Sequence, residues 1–266
     1  MKIKNLLLIA AVGVILGLHL PTANAAIDPK QYEIKIGQYM GKTLPNAVLK
    51  DSTGKTITVD QLKGKPLILN FVFYRCPHTC HFVALGLAEA LQEVKKYELG
   101  KDFNVLSVGF DEKETLADLK IFHEKIGKEL KNKYPKSYAE WHFTLAQADQ
   151  IKKLTEATGF KFIWSDAEQT FYHPNVYVVI TPKGKISRYL FGLYPIASDI
   201  EMAIRDAANE KVSSYSWINS ALQSCLKYDH LSGRYRVDIS KVAGGIGFFF
   251  FVLTGILILV YKKRRG

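Results

Sequence analysis

The chain has 266 residues, of which 48% are hydrophobic, and a formal net charge of +11 at pH 7. That length and composition suit one domain with a packed core plus appended segments. Without two lysines near the amino terminus and four basic residues near the carboxyl terminus, the charge falls to +5. A surface this weakly basic gives no argument for nucleic-acid binding.

The first 25 residues are typical of a secretory signal peptide. Lys2 and Lys4 precede an apolar run over residues 6–20, and Ala23 and Ala25 form a small-residue cleavage site. These three features in this order are the pattern of an exported protein. The alternative is an uncleaved amino-terminal anchor, but the apolar run is short for a membrane span.

A second apolar segment, residues 242–261, contains no charged residue and is followed at once by four basic residues. About 20 apolar residues match the thickness of a bilayer, and a basic cluster after a span stays on the cytoplasmic side. We therefore expect a single-pass anchor in the plasma or inner membrane. Residues 262–266 would form a cytoplasmic tail, and the domain would lie on the periplasmic or extracytoplasmic side, joined by a connector over residues 211–241.

Residues 26–210 are predicted to form the folded domain, opening with an extended polar lead over residues 26–43. The expected strands are residues 44–49, 56–59, 66–73, 103–110, 141–145, 175–181 and 185–190. The expected helices are residues 83–96, 115–128, 147–158 and 198–208. Strands that alternate with helices in this way predict one α/β domain with a mixed sheet flanked by helices.

Two cysteines, Cys76 and Cys80, lie between a buried strand and the start of a helix. A helix amino terminus favours the thiolate, which is both the nucleophile and the metal ligand form of cysteine. This spacing lets two sulfurs close a disulfide or hold one soft ion. A structural disulfide and covalent haem are weaker alternatives, since the closed loop is small and the haem motif is one residue shorter.

Three stretches together resemble the Sco/SenC family over residues 44–208. They are FVFYRCP over residues 71–77, SVGFD over residues 107–111 with Glu114 and Thr115, and His173 ahead of VYVV at residues 176–179. Members are thioredoxin-like copper-binding proteins implicated in assembling the CuA centre of cytochrome c oxidase. The resemblance implies a thioredoxin-like fold, and oxidase subunit II as the partner.

The same resemblance implies that Cys76, Cys80 and His173 bind copper, as Cu(I) or Cu(II). Two thiolates and one imidazole form a soft site that suits this metal, whereas structural zinc usually takes a fourth protein ligand. The chain departs from the family pattern at His78, His81 and Tyr172. The first two stand where the family often has Asp and Pro, and the third where it often has Asp before the histidine.

The remaining candidates are less specific. We expect His123 to be a solvated helix residue and His142 an ordinary strand residue, while His78 and His81 are close enough to bind copper or tune the thiolates. Cys225, in a stretch resembling the juxtamembrane segment of C-terminally anchored members, is either an inert thiol or a third redox-active one, with His230 nearby.

Two functions remain open from the sequence. The first is a copper metallochaperone that delivers copper to the oxidase. The second is a membrane-anchored thiol–disulfide oxidoreductase acting on cysteines of the oxidase or of other exported proteins. The two differ at His173, which copper binding needs and dithiol exchange does not. A sensor that signals through the short tail is the weakest reading.

Overall fold

The computed structural model describes residues 27–76, 80–133 and 140–213, and short stretches between residues 226 and 254. The predicted signal peptide and the predicted cytoplasmic tail lie outside the described residues, as do His78, Cys225, His230 and most of residues 242–261. Within the described part, no helix is both long enough and apolar enough to cross a membrane.

A seven-stranded mixed sheet forms the centre of the domain. Its strands are β1 (Val48–Asp51), β2 (Thr56–Thr58), β3 (Leu67–Val72), β4 (Asn104–Gly109), β5 (Trp141–Ala146), β8 (Val176–Ile180) and β9 (Ile186–Phe191). They lie in the order β2-β1-β5-β4-β3-β8-β9. Every residue of β3 and β8 is buried, as expected for central strands covered on both faces.

Strand β3 is paired on both sides, in opposite senses. It runs parallel to β4, with Asn70 opposite Ser107, and antiparallel to β8, with Asn70 opposite Tyr177. The carboxyl ends of β3 and β4 and the amino end of β8 therefore meet at one edge of the sheet. This edge carries the candidate site.

The helices are α1 (Cys80–Glu93), α2 (Leu116–Lys133), α3 (Ala148–Thr158) and α4 (Ala197–Ala208). Helix α1 contacts both α2 and α4, α2 contacts β5, and α4 contacts β8 and β9. The residue after α3, Gly159, has φ +70°, the left-handed conformation that ends helices most readily at glycine. The mixed sheet flanked by helices confirms the predicted α/β class.

The amino-terminal lead differs from the expected extended segment. It forms two short 3-10 helices, Pro29–Tyr32 and Ile36–Gln38. The Asp28 carboxylate caps the first by accepting the Lys30 N–H at 3.0 Å. Tyr32 and Ile34 are buried, so apolar side chains scattered among charged ones attach this segment to the core.

Two hairpins were not predicted. Strands β6 (Ile163–Ser165) and β7 (Thr170–Tyr172) form one of them, immediately before the candidate ligand His173. Strands β10 (Leu226–Asp229) and β11 (Arg234–Val237) form the other, within the segment expected to be a plain connector. Strands of three or four residues are too short to show a clear alternating pattern.

Helix α1 passes close to the β9–α4 loop at Gly86. A Cβ atom at this position would lie 2.3 Å from the Leu193 carbonyl oxygen and 2.8 Å from Tyr194 Cδ1. The Tyr177 hydroxyl lies between the same two segments, 3.1 Å from the Val83 carbonyl and 3.2 Å from that of Leu193. The start of α1, and with it Cys80, is thus fixed against the β9–α4 loop.

We predict that Gly86→Ala destabilises the domain by about 1–3 kcal/mol, because the new methyl group meets a backbone carbonyl that cannot move freely. In an unobstructed helix the same exchange stabilises by roughly 1 kcal/mol. The sign of the change in the free energy of unfolding therefore shows whether the carbonyl obstructs the methyl group. Urea denaturation measures it. The control Lys120→Ala, on the exposed face of α2, should stay within about 0.5 kcal/mol of wild type, and stabilisation by Gly86→Ala would contradict the close approach.

Candidate metal centre

Cys76 lies in the turn that follows β3. Its N–H donates to the Phe73 carbonyl at 3.2 Å, and its side chain is half-buried. Helix α1 begins at Cys80, three residues before the predicted start. Residues 77–79 and the Cys80 side chain lie outside the described residues, so the proposed pairing of the two sulfurs stays a prediction.

His173 lies between β7 and β8, at the same edge of the sheet as Cys76. The β3–β8 register pairs Asn70 with Tyr177, so the chain enters β8 at the edge where β3 ends. The Cys76 and His173 side chains interact electrostatically: Cys76 opposes the lowering of the His173 pKa that burial causes. The structure therefore brings together two of the three predicted ligands.

The His173 ring sits against an aromatic wall. Its centroid lies 5.2 Å from that of Phe110 and 5.7 Å from that of Phe160. Its Nδ1 atom is 3.2 Å from the Pro174 carbonyl oxygen. A carbonyl can only accept a hydrogen bond, so Nδ1 carries the proton and Nε2 keeps its lone pair. This is how histidine ligands are usually oriented in metal sites.

The charge state of His173 suits the same role. Burial lowers its pKa from the ordinary value of 6.5, while the Pro174 carbonyl and Cys76 oppose that shift without cancelling it. The imidazole is consequently neutral at neutral pH, which is the form that binds metals.

An acidic pair holds the residue before Cys76. The Arg75 N–H donates to Glu114 Oε1 at 2.9 Å, and the Arg75 guanidinium donates to Asp111 Oδ2 at 2.5 Å. Asp111 and Glu114 both belong to the loop between β4 and α2. We call Asp111, Glu114 and Arg75 the acidic clamp. The sequence showed these residues only as part of a family likeness.

Like Asp111, which is 7% exposed, Glu114 is nearly fully buried, at 8% exposed. Burial raises its pKa from 4.5 to about 8, and the hydrogen bond from the Arg75 N–H opposes the shift only in part. The carboxyl group fits here because residue 109 is glycine: a Cβ at Gly109 would lie 3.0 Å from Glu114 Oε2 and 2.8 Å from the Tyr74 ring.

Tyr74 anchors the turn from its other side. Its buried hydroxyl donates to the Thr144 carbonyl at 2.9 Å and accepts the Thr144 N–H at 3.1 Å. This pair ties the end of β3 to β5, across β4. Burial raises the pKa of Tyr74 well above its ordinary value, so the hydroxyl stays a donor.

The other candidate residues lie in different surroundings. Tyr172, which precedes His173, donates its hydroxyl to Glu168 Oε1 at 2.5 Å within the hairpin. The His81 ring packs on Phe82, with a centroid distance of 3.9 Å. Among the described side chains, which exclude that of Cys80, no group of three or more His, Cys, Asp and Glu is placed to hold a metal ion.

The expectation of a solvated His123 was wrong. Its ring packs on Phe143 at 5.5 Å, and burial lowers its pKa. His142 lies on β5, as expected, where burial also lowers its pKa. Both lie on or against β5, away from the edge that carries His173.

An open cleft of about 950 Å³ adjoins the site, between the β4–α2 loop, α3 and the β6–β7 hairpin. Its floor is aromatic and its rim is charged, and its lining includes Phe110, Phe162, Trp164, Phe171, Arg75, Asp111 and Lys152. Phe110 belongs to both places, since it lines the cleft and packs against His173. Sequence reasoning missed the cleft because the hairpin that forms one wall was not predicted.

We predict that Glu114 makes the domain less stable as pH rises. The folded state holds its proton up to about pH 8, whereas the unfolded chain releases it near 4.5. The stabilisation is therefore complete below pH 4.5 and is lost as pH rises through 8. Glu114→Gln should flatten this dependence of the free energy of unfolding, measured by urea denaturation between pH 4.5 and 9.

The matched control is Glu124→Gln, which removes a carboxylate from the exposed face of α2 and should keep the wild-type slope. A Glu114→Gln variant with an unchanged slope would show that the buried carboxyl is not the group responsible.

Several solved structures share this fold. One is a crystal structure titled as a putative electron transfer protein from Aquifex aeolicus VF5, with 30% identity, a TM-score of 0.56, and coverage of 64% of this chain and 95% of the other. Arabidopsis thaliana ScoI with copper bound is 18% identical, with a TM-score of 0.50 and coverage of 62% of this chain and 99% of the other. BsSco, titled as a member of the Sco family of cytochrome c oxidase assembly proteins with a disulfide switch, is 17% identical, with coverage of 64% and 96% and a TM-score of 0.51.

At such low identity the two Sco structures show the fold alone. No curated protein sequence matches the chain significantly. The family model described as SCO1/SenC matches residues 43–209. This range covers the whole sheet, the acidic clamp, Cys76 and His173, and it agrees with the resemblance seen in the sequence. The chain belongs to the SCO1/SenC family.

Proposed function

We propose that this protein is a copper metallochaperone whose ligands are Cys76, Cys80 and His173. One observation carries the proposal: a neutral His173, with its Nδ1–H engaged by Pro174, lies within electrostatic reach of Cys76. Cys80 would supply the second sulfur from the first residue of α1. Two thiolates with one imidazole suit copper better than a hard cation.

The arrangement also suits transfer of the ion. Three protein ligands leave coordination positions open on the copper ion. Ligands of a second protein could therefore bind the ion before Cys76, Cys80 and His173 dissociate from it. The aromatic wall of Phe110 and Phe160 shields one side of His173, which directs exchange to the side that bears the cysteines.

We further propose cytochrome c oxidase subunit II, with its CuA centre, as the recipient. Membership of the SCO1/SenC family supports this, as does the likeness to BsSco, a member of the Sco family of cytochrome c oxidase assembly proteins. Export through residues 1–25 and an anchor over residues 242–261 would hold the domain on the side of the membrane where such a recipient is exposed.

The second candidate function is a membrane-anchored thiol–disulfide oxidoreductase. The observation in its favour is the position of Cys76 just after the central strand β3, with α1 beginning at Cys80. A cysteine at a helix amino terminus has a stabilised thiolate that can attack a disulfide. This function uses the same cysteines but gives His173 no part.

We predict that the reduced full-length protein binds one copper ion and that His173→Ala weakens binding strongly. Removing a ligand should cost more than the roughly 10–100-fold that losing an outer-sphere partner costs. Competition titration against a Cu(I) chelator measures the affinity, and Cu(II) spin resonance reports the ligand set.

The matched control is His123→Ala, which removes another half-buried histidine that packs on a phenylalanine. It should bind copper as wild type does. Unchanged affinity in His173→Ala would rule out the three-ligand site. Catalytic turnover of a disulfide substrate in the absence of copper, equally fast in His173→Ala, would favour the oxidoreductase instead.

A further inference from the structure

Glu114 is a buried carboxyl group that accepts a hydrogen bond from the backbone beside Cys76. Its Oε1 atom accepts the Arg75 N–H at 2.9 Å. Its Oε2 atom is buried and has no hydrogen-bond partner among the described residues. Burying a carboxyl group with one oxygen atom that makes no hydrogen bond costs free energy that an apolar side chain would avoid.

The surroundings prevent Glu114 from turning elsewhere. A Cβ at Gly109 would come within 3.0 Å of Oε2, so the group already fills the space that the missing side chain leaves. Its own backbone is fixed as well, since the Glu114 N–H donates to the Asp111 carbonyl at 3.0 Å. The carboxyl oxygen is therefore a rigid acceptor placed before Arg75 and Cys76.

Asp111 holds the side chain of Arg75, whereas Glu114 holds its backbone. It binds the Arg75 guanidinium through Oδ2 and accepts the Lys113 N–H through Oδ1 at 3.1 Å. The exposed half of Arg75 gives this ion pair a modest energy. The bond to Glu114 holds the Arg75 backbone rather than its side chain, one residue away from the thiol.

We propose that Glu114 is a positioning residue for Cys76: its Oε1 atom fixes the backbone of residue 75 and thereby the direction of the neighbouring thiol. The part that concerns copper rests on the proposed function. The part that concerns the thiol does not, because the geometry of the turn is the same whichever reaction Cys76 serves.

Two substitutions separate the hydrogen bond from the bulk of the side chain. Glu114→Met has a similar length but no acceptor for the Arg75 N–H, whereas Glu114→Gln keeps an acceptor oxygen. The control is Asp206→Asn, which alters another buried carboxylate, 5% exposed and bonded at 2.8 Å to Arg188, with no described contact to Arg75. It tests whether loss of stability alone affects the thiol.

The experiment uses the reduced full-length protein and two readouts. The rate at which iodoacetamide alkylates Cys76 at pH 7 is followed by mass spectrometry of the Cys76 peptide, and Cu(I) affinity is measured by chelator competition. For Glu114→Met we expect faster alkylation, because a half-buried thiol is released, and copper binding weaker by on the order of tenfold, the equivalent of one buried hydrogen bond. Glu114→Gln and Asp206→Asn should match wild type in both readouts.

Three results would overturn the proposal. They are a folded Glu114→Met protein that matches wild type in both readouts, a Glu114→Gln protein as altered as Glu114→Met, and an Asp206→Asn protein with the same change in alkylation. If no variant and no wild-type protein binds copper but alkylation follows the expected order, the proposed function fails while the positioning role of Glu114 stands.

Discussion

Strand β3 is the element on which the site depends, because it pairs with a parallel neighbour on one side and an antiparallel neighbour on the other. The parallel register with β4 puts the acidic residues of the β4–α2 loop beside the turn after β3. The antiparallel register with β8 brings the amino end of that strand, which follows His173 by three residues, to the same edge. All six β3 residues are buried, so slipping either register by one residue would move every side chain to the opposite packed face. The packing of β3 therefore also fixes the site.

Around this edge, different interactions hold the two described ligand candidates. His173 is held by aromatic packing and by the Pro174 carbonyl, which together favour a neutral ring with its lone pair on Nε2. Cys76 is held through its neighbour Arg75 by two buried acidic groups, Asp111 and Glu114. The side of the site around His173 is thus apolar and shields a neutral imidazole. The side around Cys76 is polar and fixes the backbone of Arg75.

The sequence predicted the central fold well, and the reason is physical. Strands buried on both faces, such as β3, appear as continuous apolar runs, and α1 shows helical spacing at Val83, Leu87 and Leu91, all of which are buried. The β6–β7 hairpin was missed because three-residue strands carry no periodic signal. The lead was misjudged because Tyr32 and Ile34 stand among charged residues, yet both pack into the core.

The site was predicted less completely. Cys76 was identified from its place between a buried strand and a helix start, and His173 through likeness to a family. The structure brings the two together. The buried Glu114 could not have been identified as a partner of Arg75, since 39 residues separate them and no local pattern marks a carboxyl group that folding will bury. The roles of Cys80, His78, His81 and Cys225 as ligands or redox groups remain predictions.

X-ray absorption at the copper edge tests the central claim most directly. The measurement uses full-length protein loaded with one equivalent of Cu(I), beside the His173→Ala variant. The account predicts two sulfur scatterers and one imidazole in the wild type, and loss of the imidazole signal with both sulfurs retained in the variant. An imidazole signal that persists in His173→Ala, or a wild-type site without sulfur, would contradict it.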